Sequence, residues 1–253
     1  MNANDYIALF DSGVGGISVL RQLVRLMPSE RYLYFGDSAN APYGTKSRER
    51  VRELSFAVAE KLIARGVKAL VVACNTATSA AIEELRSAYP RLIVIGIEPA
   101  LKPAADRFPG GTVGVMATPM TLGQEKFAHL LERFSDRCRV VKLPAPGLVE
   151  LVEAGKADTL ETEALLRPLL EPWAGKLDAL VLGCTHYPFA GEAITRILGE
   201  KTLLLDGGEG TARETRRRLE EAGLLRTGMG EICIENSLGD EKLLQLSFDL
   251  LQK

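Results

Sequence analysis

Histidine, tryptophan and cysteine are scarce in this chain of 253 residues, with two, one and four of each. Two histidines and four widely separated cysteines, without a CxxC pair, supply no close-spaced ligand set for zinc, and no metal is expected. The same four cysteines offer no disulfide framework and fit free thiols in a reducing compartment. Long apolar runs are missing too, since none approaches the ~18 residues of a membrane span. The opening MNANDYIALF has no basic segment ahead of its short apolar run, so it reads as a first strand rather than an export signal. A cytoplasmic protein is expected. Charge of one sign is not in excess: 31 Lys and Arg stand against 33 Asp and Glu, a net charge of −2. No broad basic field for nucleic acid or anionic membrane is therefore implied. The one basic run, Arg216-Arg217-Arg218, precedes Glu220 and Glu221 and reads as a solvated helix face. A phosphate-binding P-loop is excluded, because Gly44-Thr45-Lys46-Ser47 has the wrong order and spacing; that stretch reads as a loop leading into a helix with Ser47 near its cap.

What is present is a core. Hydrophobic residues make up 46% of the chain, enough for one large or two medium domains. Short apolar runs alternate with helix-sized patterns: Tyr6–Phe10, Tyr32–Phe35, Ala69–Ala73, Leu92–Ile97, Thr112–Met116, Val140–Leu143, Ala179–Leu182 and Leu203–Leu205. This is the signature of βα units, and the fold class is α/β with mainly parallel sheets flanked by helices. In such sheets ligands bind beyond the carboxyl ends of the strands.

The chain also repeats itself. Phe10-Asp11-Ser12 matches Met116-Ala117-Thr118, Cys74 matches Cys184, and Ile97-Glu98-Pro99 matches Leu205-Asp206-Gly207, at spacings of 106, 110 and 108 residues. Two similar domains, related by a pseudo-twofold across a cleft, are expected. Residues 98–206 form the second, and residues 1–97 form the first together with a C-terminal return, 207–253. Helical patterns at Thr211–Ala222 and Asp240–Leu251 and an edge strand near Ile232–Ile234 belong to that return.

Cys74 and Cys184 each close an apolar run and precede a hydroxyl-bearing segment that reads as a helix start. A lone cysteine most often fills core volume. Two at corresponding repeat positions, each where a helix N-terminus favours the thiolate, suit a reaction that takes a proton from one face of a carbon and returns it to the other. His186, two residues beyond Cys184, is a candidate for proton transfer or substrate holding, and Asp11 is its counterpart in the first half. His129, Cys138 and Cys233 lack the strand-end context and read as surface or packing residues. Asp11-Ser12-Gly13-Val14-Gly15-Gly16 makes a tight turn whose helix N-terminal amides face an anion such as a carboxylate. It also nearly matches a dinucleotide fingerprint, with Asp37 near the ribose-binding position, but the third glycine is missing and Asp11 would lie beside a pyrophosphate.

Six motifs, DSGVGG, YFGDSANAPYGTKS, ACNTATSAA, VGVMATPMT, LGCTHYPF and LLLDGGEGTA, resemble in this order the aspartate/glutamate racemase family, and within it the bacterial glutamate racemases. The resemblance spans nearly the whole chain. It implies a cofactor-independent isomerase that interconverts L- and D-glutamate and supplies D-glutamate for peptidoglycan. Cys74 and Cys184 become the two acid/base residues, Cys74 acting on D-glutamate with Asp11 assisting and Cys184 on L-glutamate with His186 assisting. Asp11, Ser12, Pro42, Tyr43, Gly44, Asn75, Thr76, Thr118, Thr121, Thr185 and His186 become substrate contacts. The partner is then the small molecule glutamate, with no nucleic acid or membrane, and a homodimer is implied. One departure is visible: Ala145 stands before Pro146 where many relatives carry a cysteine, and which glutamate of Glu150 and Glu153 faces the site is open. Two other classes account for part of the pattern. A non-enzymatic amino-acid or dicarboxylate binding protein explains the repeat but leaves the thiols idle, and a nicotinamide-dependent oxidoreductase rests on the glycine turn alone.

Overall fold

Each of the eight apolar runs carries a strand, and the inner strands of each sheet are buried because helices cover them. In Val67–Val72 every residue is buried, a continuous apolar run broken only by Lys68, as expected of a parallel strand covered on both faces. The computed structural model describes residues 1–123, 125–134 and 136–252. In chain order the elements are β1 (Tyr6–Asp11), α1 (Ile17–Leu26), β2 (Arg31–Gly36), α2 (Arg48–Ile63), β3 (Val67–Val72), α3 (Asn75–Ala88), β4 (Ile93–Gly96), α4 (Leu101–Arg107), β5 (Thr112–Ala117), α5 (Pro119–Gly123), α6 (Glu125–Glu132), β6 (Arg139–Pro144), α7 (Leu148–Glu153), α8 (Leu160–Leu170), β7 (Ala179–Leu182), α9 (Gly191–Leu198), β8 (Leu203–Asp206), α10 (Gly208–Glu221), β9 (Glu231–Asn236) and α11 (Glu241–Gln252). No helix among the described residues is long and apolar enough to cross a membrane.

Two compact units divide the chain: Met1–Glu98 with Gly208–Lys253, and Pro99–Gly207. The first contains a five-stranded sheet ordered β4-β3-β1-β2-β9, the second a four-stranded sheet ordered β6-β5-β7-β8, and every pairing is parallel. Read from the other edge, the second sheet is β8-β7-β5-β6, the same path as β4-β3-β1-β2. The sequence repeat is thus a repeat of topology, with β9 added at one edge of the first sheet. In each sheet the chain leaves its first strand to one side and later returns on the other side. Such a reversal opens a crevice at the strands' carboxyl ends, here between β1 and β3 in the first unit and between β5 and β7 in the second.

Helix starts follow local chemistry. Ser47 caps α2 by accepting the Arg50 N–H, and Thr159 caps α8 by accepting the Thr162 N–H. The second unit's core gathers Val113, Val115, Ala179 and Val181 from its strands with Leu101, Ala104 and Cys138. The end of the first sheet opposite the crevice holds a buried ion pair that no sequence pattern announced. Lys68 Nζ lies 2.5 Å from Glu30 Oε2 and also donates to the carbonyls of Ala3 at 2.7 Å and Leu224 at 2.9 Å. Glu30 Oε1 accepts the Arg226 N–H at 2.9 Å. The chain's start, β3 and the C-terminal segment are therefore tied at one point. Removing either charge would leave the other buried and uncompensated, a loss of about 3–5 kcal/mol.

Candidate active site

In the first unit, β1 and β3 are neighbours with Phe10 opposite Val72, so Asp11-Ser12 and Cys74 emerge side by side. Cys74 is extended (φ −78°, ψ 121°) and caps α3, its Sγ accepting the Ala77 N–H at 3.5 Å. The thiol also lies 3.9 Å from Ser12 Oγ, which donates to Asp11 Oδ1 at 3.3 Å. Cys74, Ser12 and the fully buried Asp11 carboxylate form one chain of polar contacts. Beside it, Asn75 Oδ1 is a buried oxygen with no hydrogen-bond partner among the described residues. Thr76, next along α3, is buried as well.

The loop after β2 adds to this cluster. The Asp37 N–H donates to the Asp11 carbonyl at 2.9 Å, and Asp37 Oδ2 accepts the Tyr43 hydroxyl at 2.7 Å. Asn40 Nδ2 donates to both Asp37 oxygens at 3.1 Å. Burial, then the Asp37 charge, pushes the Tyr43 phenol well above its ordinary pKa, so it stays a neutral donor. Tyr43 begins a 3-10 turn, Tyr43–Thr45, that includes Gly44 and follows Pro42, whose carbonyl accepts the Thr45 hydroxyl at 3.2 Å.

One expectation is corrected here. The Gly13 N–H, counted among the amides open to an anion, donates to Asp11 Oδ1 at 3.1 Å. That amide is taken by the chain's own carboxylate, and a pyrophosphate would meet its charge. Gly16 serves packing, since a Cβ there would stand 2.8 Å from the Asp11 Cβ. The dinucleotide reading of this turn loses its physical basis.

The second unit surrounds its cysteine differently. Cys184 does not open a helix; a turn follows it, then a 3-10 helix, Tyr187–Ala190, before α9 begins. Its partner is a side chain: Sγ lies 3.7 Å from His186 Nδ1. On the far side of the ring, His186 Nε2 lies 2.7 Å from Glu153 Oε1 at the end of α7. Burial of the ring by itself opposes protonation, but the hydrogen bonds to Cys184 and Glu153 outweigh it and hold the His186 pKa well above the usual imidazole value. The imidazolium so favoured is available to a thiolate at Cys184. Thr185 is buried here. Thr118, at the end of β5, and Thr121 share a hydrogen bond at 3.0 Å between their hydroxyls, both buried.

Sequence reasoning missed Tyr187 and the place of Asp37 in these networks, and left Glu153 open. Asp37 was weighed only as a ribose-binding acid, although it directly follows β2, whose last residue Gly36 pairs with Asp11 at the end of β1. Glu153 and Glu150 could not be ranked; Glu153 is the one on His186, while Glu150 is exposed. Tyr187 passed as part of a motif, yet it is fully buried and donates to the Ala145 carbonyl at 3.0 Å. His129 is exposed and paired with Glu132, Cys138 lies in the second unit's core, and Cys233 is half-buried on β9. Among the described residues, no three His, Cys, Asp or Glu side chains converge as metal ligands would.

The sequence profile of the Asp/Glu/hydantoin racemase family matches residues 11–215. A glutamate racemase of Clostridium perfringens is 49% identical over 252 residues, covering 98% of this chain and 97% of that protein. The crystal structure of glutamate racemase from Francisella tularensis with D-glutamate superposes with a TM-score of 0.85 at 30% identity, over 99% of this chain and 95% of that one. The Escherichia coli glutamate racemase, in complex with L-glutamate and the activator UDP-MurNAc-ala, superposes with a TM-score of 0.87 at 33% identity, over 98% and 95%.

Proposed function

The chain belongs to the Asp/Glu/hydantoin racemase family, and on that footing we propose that it interconverts L- and D-glutamate by a two-base mechanism with Cys74 and Cys184 as the acid/base pair. The observation that carries this is the pair of buried thiols, one per unit, each at a strand's carboxyl end and each with its own polar partners. Removing a weakly acidic α-proton requires a thiolate on one face of the carbon, a neutral thiol on the other, and donors where charge grows on the carboxylate. The mechanism therefore requires the two thiols to reach opposite faces of one α-carbon.

Each half would ready its thiol in its own way. A thiolate at Cys74 would be stabilised by the Ala77 N–H and the start of α3, a 14-residue helix whose N-terminus favours negative charge. As an acid, Cys74 is already directed at Ser12 and through it at Asp11. A thiolate at Cys184 would be stabilised by the His186 imidazolium, itself held by Glu153. The substrate's α-ammonium would supply the donor that buried Asn75 Oδ1 lacks. Tyr43, Thr76, Thr118, Thr121 and Thr185 are the neighbouring groups proposed to line the substrate, with Pro42 and Gly44 shaping its loop. No cofactor is required by this chemistry. Residence in the cytosol, a homodimeric state and delivery of D-glutamate to peptidoglycan assembly complete the proposal.

The experiment is turnover of each glutamate enantiomer in deuterated water, with pyridoxal phosphate excluded, by protein free of contaminating racemase. Racemisation in both directions with deuterium at Cα is expected. Absence of both racemisation and exchange would overturn the proposal. Intact ligand binding by an inactive protein, retained after Cys74→Ala with Cys184→Ala, would point to a binding protein instead.

A further inference from the structure

The six residues of α7 cannot hold a helix by themselves, yet Glu153 at its end must meet His186 within 2.7 Å. Its apolar Leu148, Val149 and Val152 are buried and hold it to the core, but apolar contact is non-directional and does not fix its axial position. Directional contacts must do so. At the C-terminal end the Glu153–His186 bond acts on the helix itself, while the Thr162 hydroxyl holds the Lys156 carbonyl just beyond it at 2.6 Å. Ahead of the N-terminal end runs Pro144-Ala145-Pro146-Gly147, stiffened by two prolines and turning at Gly147 (φ +86°) into the helix. The Ala145 N–H donates to Ala117 at 3.3 Å, and the Ala145 carbonyl accepts the Tyr187 hydroxyl at 3.0 Å.

Tyr187 directly follows His186 in sequence. The fully buried phenol and the imidazole leave one short stretch of backbone; the imidazole holds the last residue of α7 and the phenol holds the Ala145 carbonyl, three residues ahead of its first. We infer that Tyr187 is a positioning residue of the Cys184 half-site: its bond to Ala145 and the Glu153–His186 bond clamp α7 from both ends, so that the phenol fixes where Glu153 holds the His186 ring against Cys184. The clamp rests on the reading of Cys184 as an acid/base thiol, but it concerns a residue whose hydroxyl bonds the Ala145 carbonyl rather than the thiol. Losing the hydroxyl leaves the Ala145 carbonyl unpaired, releases the link ahead of α7 and lengthens or misdirects the Glu153–His186 bond.

Because the chain has two histidines, imidazole NMR on the full protein resolves His186, with exposed His129 as an internal reference. Tyr187→Phe keeps the ring and its packing. The His186 titration midpoint is expected to fall toward the ordinary imidazole value in this variant, and kcat to fall about fivefold, the scale of one lost buried hydrogen bond. The primary deuterium isotope effect should rise for the enantiomer deprotonated at Cys184 and not for the other. In a Glu153→Gln background, Tyr187→Phe should move the midpoint no further, because the clamp's other end is already open. Gly147→Ala, which strains the positive-φ turn, should lower the midpoint in the same way if Tyr187→Phe does not fold. A midpoint unchanged by Tyr187→Phe, or a shift of equal size in the Glu153→Gln background, would overturn the clamp. A wild-type protein that fails to racemise glutamate would overturn the proposed substrate, while the His186 titration would still decide the clamp.

Discussion

Cys74 and Cys184 occupy matching places in a repeated topology, yet their surroundings have almost nothing in common. Cys74 sits at the N-cap of a 14-residue helix and contacts a backbone N–H and a hydroxyl that leads to Asp11. Cys184 sits in a turn and contacts an imidazole backed by a carboxylate. One thiol relies on a helix terminus, a fixed partial charge that does not titrate; the other relies on a full charge that does. The lesson is that a repeat conserves where a group leaves a sheet, while the element that follows decides how the group is charged. In this chain Pro188 makes that difference. Proline has no N–H, so position 188 cannot return the bond that the Thr78 N–H gives the Cys74 carbonyl at 2.8 Å; the Tyr187 N–H bonds the Cys184 carbonyl at 3.1 Å instead and a 3-10 helix follows, whereas nothing interrupts Asn75–Ala88.

The comparison can be broken in stages. Replacing either thiol should have the largest effect: Cys74→Ser or Cys184→Ser is expected to lower kcat by about 10³-fold, the usual scale for a proton-transfer group. Full two-way activity in either variant would refute the pairing. Next come the partners specific to one side. Glu153→Gln removes a charge-assisted hydrogen bond from His186 and is expected to lower kcat about tenfold to hundredfold. The primary isotope effect should rise only for the enantiomer whose proton Cys184 abstracts. Ser12→Ala interrupts the neutral link from Cys74 to Asp11, and a fall of about fivefold with the opposite isotope asymmetry is expected. Equal isotope effects for both enantiomers in both variants would show that the partners do not serve separate thiols.

The smallest effect is on stability. His186 has a folded pKa raised well above the ordinary value of about 6.5. Its protonated pair with Glu153 therefore stabilises fully below pH ~6.5, and that contribution is lost as pH rises through the folded value. The Tm gap between wild type and Glu153→Gln should be widest in mild acid and should narrow toward alkaline pH. A gap that widens with pH would mean that the ring is neutral when folded.

The fold class was legible because alternating apolar runs and helix-sized intervals admit little else than parallel βα units, and each run does carry a strand. Strand-end position also brought Asp11, Ser12 and Cys74 to notice, and His186 lies only two residues from Cys184. Other features depend on contacts remote in sequence. Glu153 and Glu150 are three residues apart on one short helix, and only the packing of that helix brings Glu153 to His186 across 33 residues. The Gly13 amide looked open because a sequence does not reveal that Asp11 folds back onto it. Lys68, within an otherwise apolar strand, finds Glu30 thirty-eight residues away. The pattern identified strand ends; side-chain orientation required the fold.

The central claim is that two different thiols work on opposite faces of one carbon. Its most direct test follows each enantiomer in deuterated water over the first few per cent of turnover, with mass analysis of product and remaining substrate. Two bases predict a product carrying solvent deuterium at Cα while the remaining substrate stays largely protiated. A product that keeps the substrate's own hydrogen, or substrate that exchanges as fast as product forms, would contradict it.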